Sequence, residues 1–396
     1  MGLHETPRAN QLHIGIFGKR NSGKSTLINA LTGHNTALVS DVAGTTTDPV
    51  YKTMEIYGIG PCVLIDTAGY DDVGELGGMR VEKTKEALKK TDIALIVTCD
   101  ADIDEELAWI KLLKQQKTPY IIIINKIDEL EDPGAIFKAF FDASGEEPLM
   151  ISAKTKTGVE KIREEIMRKL PEDYEAASIT GHLVSEGDVV LLVMPQDIQA
   201  PKGRLILPQV QTMRDLLDKK AIVTSCTTDK LDAALSSLSA PPKLIITDSQ
   251  VFKTVYEKKP EESMLTSFSV LFAGYKGDIK YYAESAAAVD SLTEDSRVLI
   301  AEACTHAPLE EDIGREKLPR MLRNRIGQGL HIDIVSGTDF PKDLTEYDLV
   351  IQCGACMFNR KYVMNRIDSA RSQKVPMSNY GTVLAYLSGI LDKIEL

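Results

Sequence analysis

Long apolar runs are scarce in this sequence of 396 residues. None approaches the ~18 consecutive apolar residues of a membrane-spanning helix. The strongest, Tyr120–Ile124, has the length of a strand. A membrane partner is therefore not expected. The first residues lack the apolar core of a signal peptide, which leads to the expectation of a cytoplasmic protein, a setting where disulfides are rare. Basic residues are also in deficit. Lys and Arg number 46 against 58 Asp and Glu, a formal net charge of −12. That balance excludes a broad, sequence-independent grip on phosphate backbones, which needs a basic face, so no nucleic-acid partner is expected. Long-period repeats and low-complexity tracts are absent as well.

What remains is ordinary globular composition, 43% hydrophobic and 26% charged. At about 150 residues per domain, the length predicts two or three domains. Strand-like runs alternate with amphipathic stretches. Leu12–Phe17, Val63–Ile65, Ile93–Val97 and Tyr120–Ile124 read as buried strands, and Met79–Lys90 and Val159–Lys169 as helices. Such alternation predicts an α/β fold with a parallel sheet covered on both faces. Leu170-Pro171-Glu172-Asp173 closes this first domain, placed at 1–174. A small α/β unit at 175–265 follows, with strands at Val189–Met194, Ala221–Thr224 and Leu244–Thr247 and helices at Pro208–Lys219 and Asp229–Leu238. A unit of that size is marginal alone, and docking or self-association is its expected use. A third α/β unit spans 266–396. Its strand candidates are Phe268–Phe272, Val298–Ala301, His331–Val335, Leu349–Ile351 and Val375–Met377, with helices such as Asp278–Leu292 and Asn359–Gln373.

The first domain carries a complete set of nucleotide motifs. Gly18-Lys19-Arg20-Asn21-Ser22-Gly23-Lys24-Ser25 follows a strand and opens a helix that continues through Thr26. This is the phosphate-binding G-x-x-x-x-G-K-[ST] loop in its required context. Glycines let backbone N–H groups curl around phosphates, and the helix N-terminus favours the anion. Lys24 is expected on the β- and γ-phosphates and Ser25 on magnesium. Asp66-Thr67-Ala68-Gly69 sits at a strand end, where Asp66 can hold magnesium through water and the Gly69 N–H can sense the γ-phosphate. Asn125-Lys126-Ile127-Asp128 supplies a carboxylate for the N1–H and N2–H₂ edge of guanine, a donor pair that adenine lacks. Ser152-Ala153-Lys154 can reach guanine O6 through its backbone. Between the first two motifs, Gly44-Thr45-Thr46-Thr47-Asp48 offers Thr46 as a magnesium ligand in the GTP state. GTP and GDP with magnesium are the implied ligands.

The domain resembles the branch of small GTPases that contains the tRNA-modification GTPase and the Era ribosome-assembly GTPase. That branch shares G-x-x-N-x-G-K-S and A-G-T-T-x-D. The resemblance implies that Asn21 supports a potassium ion which offsets transition-state charge. Tyr70 stands where Ras-like GTPases carry a water-positioning glutamine, so slow, potassium-stimulated hydrolysis is expected.

Cysteines are few, six in all. Cys62, Cys99 and Cys226 lie singly in apolar runs and read as packing residues. Cys304 and His306 follow one strand candidate of the third unit, and Cys353 and Cys356 follow another. If those strands are parallel, both sets emerge at one sheet edge, where α/β folds build their sites. Spacing alone admits a zinc site, an iron–sulfur cube on three thiolates, a redox dithiol, or unligated cysteines. The joint pattern of a GTPase, a small middle unit, C-x-H and then C-x-x-C resembles the HydF family, the maturation GTPases of FeFe-hydrogenase. Glu310-Glu311-Asp312-Ile313-Gly314-Arg315 adds to it. The resemblance implies a 4Fe–4S cluster on Cys304, Cys353 and Cys356, with His306 as a further candidate ligand. It also implies a homodimer through the middle unit, and a carrier role. A diiron precursor would be received from radical-SAM maturases and delivered to apo FeFe-hydrogenase. Gln352 occupies the position before Cys353 where that family usually has histidine, which leaves the fourth iron position either open or held by His306, a nearby carboxylate or water.

Overall fold

The computed structural model describes residues 8–32, 49–56, 59–67, 75–170, 178–195, 205–303, 313–355 and 357–395, with the backbone alone described over 75–81. The chain divides into two compact units, Met1–Glu175 and Ala176–Leu396.

The first unit is built on a sheet of six strands: β1 (Leu12–Phe17), β2 (Val50–Ile56), β3 (Gly60–Asp66), β4 (Ile93–Thr98), β5 (Tyr120–Ile124) and β6 (Leu149–Met150). Their spatial order is β2-β3-β1-β4-β5-β6. All neighbours are parallel except β2, which runs antiparallel to β3 at the edge. Parallel neighbours need crossovers, and helices such as Asp104–Gln115 and Pro133–Ser144 supply them. β1, β4 and β5 are buried on both faces. Ile14, Leu95 and Ile123 point into one core layer, and Phe17, Ile96 and Ile122 into the other. The antiparallel β2 has no counterpart in the expected strands. Its last residues, Thr-Met-Glu-Ile, alternate polar and apolar, with Met54 and Ile56 buried and Glu55 exposed, as in a half-exposed edge strand.

The second unit holds two four-stranded sheets. One contains β7 (Val189–Val193), β8 (Ile222–Cys226), β9 (Leu244–Thr247) and β10 (Met264–Ser267) in the order β10-β9-β7-β8. The other contains β11 (Arg297–Glu302), β12 (His331–Ser336), β13 (Leu349–Gln352) and β14 (Met377–Asn379) in the order β12-β11-β13-β14. Every pairing in both sheets is parallel. The two cores are joined. Ala385, Ile390 and Ile394 pack with Leu191, Val193 and Leu265 beneath the first sheet. Near the chain's end the Glu395 N–H donates to Leu265 O at 3.1 Å, and its carbonyl accepts from Thr266 Oγ1 at 2.9 Å.

One expected strand is a helix. Phe268–Phe272 belongs to the helix Phe268–Lys276. Ser267 caps it, its hydroxyl accepting from Val270 N at 3.2 Å. Phe268, Leu271 and Phe272 face the core of the first sheet, Val270 packs on that sheet's other face, and Ala273 joins the core of the second sheet. A helix enclosed on all sides loses the polar stripe that would mark its period. The strand in this region is β10, just ahead of the helix.

Candidate functional site

The nucleotide motifs converge at the C-terminal ends of β1, β3 and β5, where a doubly wound sheet opens its crevice. Between β1 and the helix Lys24–Thr32 the loop turns through Asn21 and Gly23, both at positive φ (61° and 90°). A Cβ on Gly23 would collide with the Asn125 carboxamide, so only glycine fits. Lys24 is buried, and its ammonium bridges two loop carbonyls, Gly18 O and Lys19 O, each at 2.8 Å. It is thus held at the mouth of the loop, where phosphate oxygens would take over those contacts.

Two magnesium candidates meet from different elements. Ser25 Oγ at the helix start donates to Asp66 Oδ2 at the end of β3, at 3.3 Å. Burial pushes the Asp66 carboxyl above its ordinary range, against the pull of Lys24 and Ser25. A divalent cation beside it would reverse that burden, because it favours the ionised form. An oxygen pair of this kind, one hydroxyl and one carboxylate, suits the hard Mg²⁺ ion. Thr46 and Gly69 lie outside the described residues.

Asn125 ties the site together. Its Nδ2 donates to Ser22 O in the phosphate loop at 2.9 Å. Its Oδ1 accepts from Ala153 N at 3.0 Å. The side chain is buried, so one amide fixes the phosphate loop against the base-side loop. Both of its contacts run between the two loops. Lys126 follows at positive φ (62°) and turns the chain so that Asp128 stands exposed. The Ser152 hydroxyl holds the Asp128 carboxyl below its usual value. Asp128 therefore stays ionised at neutral pH, an acceptor for two donors. Lys154 pairs with Glu129 at 2.9 Å, and Thr155 N donates to Ser152 Oγ at 3.1 Å, which stiffens this loop.

A second cluster lies at the C-terminal edge of the β11–β13 pair, whose parallel register sets Ala301 opposite Gln352. Cys353 leaves β13 there, its N–H donating to Ala301 O at 3.0 Å. The Cys353 sulfur accepts from Ala303 N at 3.0 Å and from Ala355 N at 3.4 Å. Ala303 precedes Cys304 and Ala355 precedes Cys356 in the sequence. The N–H groups that meet at this sulfur thus belong to the residues bonded to the other two cysteines. Such N–H···S contacts stabilise thiolates and tune bound clusters. Ala355 has positive φ (51°), so the chain bends sharply between Cys353 and Cys356. Cys304, His306 and Cys356 themselves lie outside the described residues. Among the described residues no group of three His, Cys, Asp or Glu side chains gathers as a metal site.

Sequence reasoning missed several neighbours. Glu302, at the end of β11, accepts from Arg315 Nη2 at 2.9 Å and Ser336 Oγ at 3.2 Å. This network ties Arg315 to the ends of β11 and β12. Gln352 is buried and accepts from Arg366 Nη1 at 3.5 Å, so its carboxamide is engaged within the fold. Arg366 was invisible in the sequence, one basic residue among several on the helix Arg360–Ser372.

No helix among the described residues is long and apolar enough to cross a membrane.

Three family models match stretches of the chain. A model of the hydrogen maturase F dimerization domain matches residues 179–277, and one of the hydrogen maturase F tetramerization domain matches residues 280–395. A model of a 50S ribosome-binding GTPase matches residues 13–126. The GTPase Der of Wolinella succinogenes is 35% identical over 178 residues, which make up 42% of this chain and 37% of that protein. The tRNA modification GTPase MnmE of Aquifex aeolicus is 34% identical over 165 residues, 41% of this chain and 35% of that one. The chain thus spans little more than a third of the length of these curated relatives. Among solved structures, Era of Aquifex aeolicus is 20% identical with a TM-score of 0.34, over 57% of this chain and 98% of that one. With two hydrogen maturase F domains behind a GTPase domain, the chain belongs to the hydrogen maturase F family.

Proposed function

We propose that this GTPase is a scaffold which holds a 4Fe–4S cluster on Cys304, Cys353 and Cys356. It would carry the diiron precursor from radical-SAM maturases to apo FeFe-hydrogenase. The observation behind this reading is the pair of N–H groups at the Cys353 sulfur, contributed by the residues bonded to the other two cysteines. Three thiolates with an open fourth position would leave one iron exchangeable, as a carrier requires. His306 is the candidate for that position, since Gln352 is turned to Arg366. When bound, the cluster supplies an iron site to which a precursor can attach. Changing Cys353 to Ala should cut the iron retained after anaerobic reconstitution from about four atoms per chain to fewer than one, the content of a single cube being the reference. Full iron retention by that variant would overturn the assignment.

In the G domain, Lys24, Thr46, Asp66 and Gly69 are the proposed catalytic set, with Ser25 and Thr46 on magnesium. Gly18, Asn21, Ser22, Gly23, Thr26, Asn125, Lys126, Asp128, Ser152, Ala153 and Lys154 complete the nucleotide site, and Asn21 serves potassium. Tyr70 offers no carboxamide to orient water, so hydrolysis should be slow and should rise about tenfold when potassium replaces sodium, the worth of about 1.4 kcal/mol in the barrier. Equal turnover in the two buffers would contradict the potassium role.

The proposed domain limits are 1–174, 175–265 and 266–396. A homodimer through the middle unit is supported by its edge strand β8 and the adjoining helix Leu207–Asp218. Ile222 is 56% exposed, Leu217 54% and Val210 47%, an apolar surface of the kind that oligomers cover. The cytoplasm is the proposed location.

A further inference from the structure

A guanidinium lies buried behind the cysteine edge. Arg366 is 4% exposed. Three aromatic rings cage it, with centroids 4.6 Å (Phe340), 4.7 Å (Phe358) and 5.0 Å (Tyr362) from its central carbon. Its Nη2 donates to Gly337 O at 2.6 Å, and its Nη1 reaches Gln352 Oε1 at 3.5 Å. Its Nε is buried without a hydrogen-bond partner. Among the described residues no carboxylate pairs with it. Buried charges are normally paired, because the interior penalises an isolated ion by several kcal/mol.

The missing anion has an evident place. Gln352 is bonded to Cys353. Cys353 packs on the same hydrophobic cluster as Phe340, Phe358 and Tyr362. Burial disfavours the charged guanidinium, and Tyr362 and then Cys353 act against it. Rings and carbonyls hold the cation by their faces and oxygen dipoles, which leaves its net charge uncompensated. A cube on three thiolates is anionic, and more so after it takes up an electron.

We propose that Arg366 is the counter-charge of the cluster, a positioning residue that stabilises its reduced state and ties the folded apo-protein's strain to loading. This rests on the cluster reading above. Neutral Gln352 serves the arrangement: a glutamate there would pair with Arg366 and cancel it, whereas an amide engages the guanidinium and leaves its charge in place.

The test uses the full chain, reconstituted with iron and sulfide without oxygen, in wild type, Arg366→Met, Arg366→Lys and Gln352→Glu. The readout is the cluster midpoint potential from an EPR-monitored titration, together with the melting temperature of the metal-free protein. Arg366→Met should shift the reduction equilibrium about tenfold toward the oxidised form, about 59 mV for one electron. Gln352→Glu should shift it the same way with the arginine still present. Arg366→Lys should keep a potential near that of wild type. Metal-free Arg366→Met should melt above metal-free wild type, because an uncompensated buried charge has been removed. If Arg366→Met does not fold, the Gln352→Glu and Arg366→Lys pair decides the matter. Unchanged potential in Gln352→Glu, or an Arg366→Lys shift as large as that of Gln352→Glu, overturns the proposal. Failure of wild type to assemble any cluster overturns the scaffold reading itself, and with it this inference.

Discussion

Replacing Asp128 with Asn is expected to lower GTP affinity by about 10²–10⁴-fold and to create affinity for XTP. On the proposed reading, a carboxylate at this position would accept from both N1–H and N2–H₂ of guanine. An asparagine keeps one acceptor and sets its own NH₂ against the guanine amino group. A buried donor then faces a donor, and sites built on paired polar contacts reject such mismatches by several kcal/mol. Xanthine carries an oxygen where guanine has the amino group, so it accepts from the new amide and restores the pair. The Ser152 hydroxyl that bonds the Asp128 carboxylate can also bond an amide oxygen, so the loop should keep its shape. Binding of fluorescent GTP and XTP analogues checks both halves. Unaltered GTP affinity would mean that the carboxylate does not meet the base.

Asn125→Ala is expected to lower GTP affinity by roughly 10²-fold and to destabilise the G domain by about 2–6 kcal/mol. The reason is structural. One buried carboxamide serves Ser22 O at 2.9 Å and Ala153 N at 3.0 Å. Truncation orphans both groups, and each costs about 1–3 kcal/mol when left unsatisfied. The phosphate loop and the base-side loop would then have to be brought into register by the nucleotide itself, which draws on its binding energy. Thermal melts with and without GDP separate the two effects. A variant with wild-type melting and affinity would remove Asn125 from its linking role.

Much of the G domain was legible because its signals are local. A loop of fixed spacing between a buried strand and a helix needs only consecutive residues, and Gly18–Ser25, Asp66, Asn125–Asp128 and Ser152–Lys154 are of that kind. The cysteine edge was legible for a related reason. Cys353 immediately follows a short apolar strand, and the parallel pairing of β11 with β13 brings the Cys353 sulfur to Ala303. What resisted reading depended on tertiary enclosure. The run Phe-Ser-Val-Leu-Phe at 268–272 has no period because Phe268, Val270 and Leu271 are all buried, and an enclosed helix and an enclosed strand look alike. Its real markers were small: the Ser267 cap, and the break after Lys276 at Gly277. Arg366 was unreadable for the opposite reason. On its own helix it is one polar residue among many, and its burial comes from Phe340, Phe358 and Tyr362 folding over it.

The measurement that bears most directly on the central claim is the metal content of the full chain purified without oxygen, read with EPR after reduction. A scaffold GTPase of this design should hold about four irons per chain with the signal of a reduced cube, as a single 4Fe–4S centre requires. Stoichiometric zinc, with no cluster formed on adding iron and sulfide, would contradict the account and leave a GTPase with a structural metal at the cysteine edge.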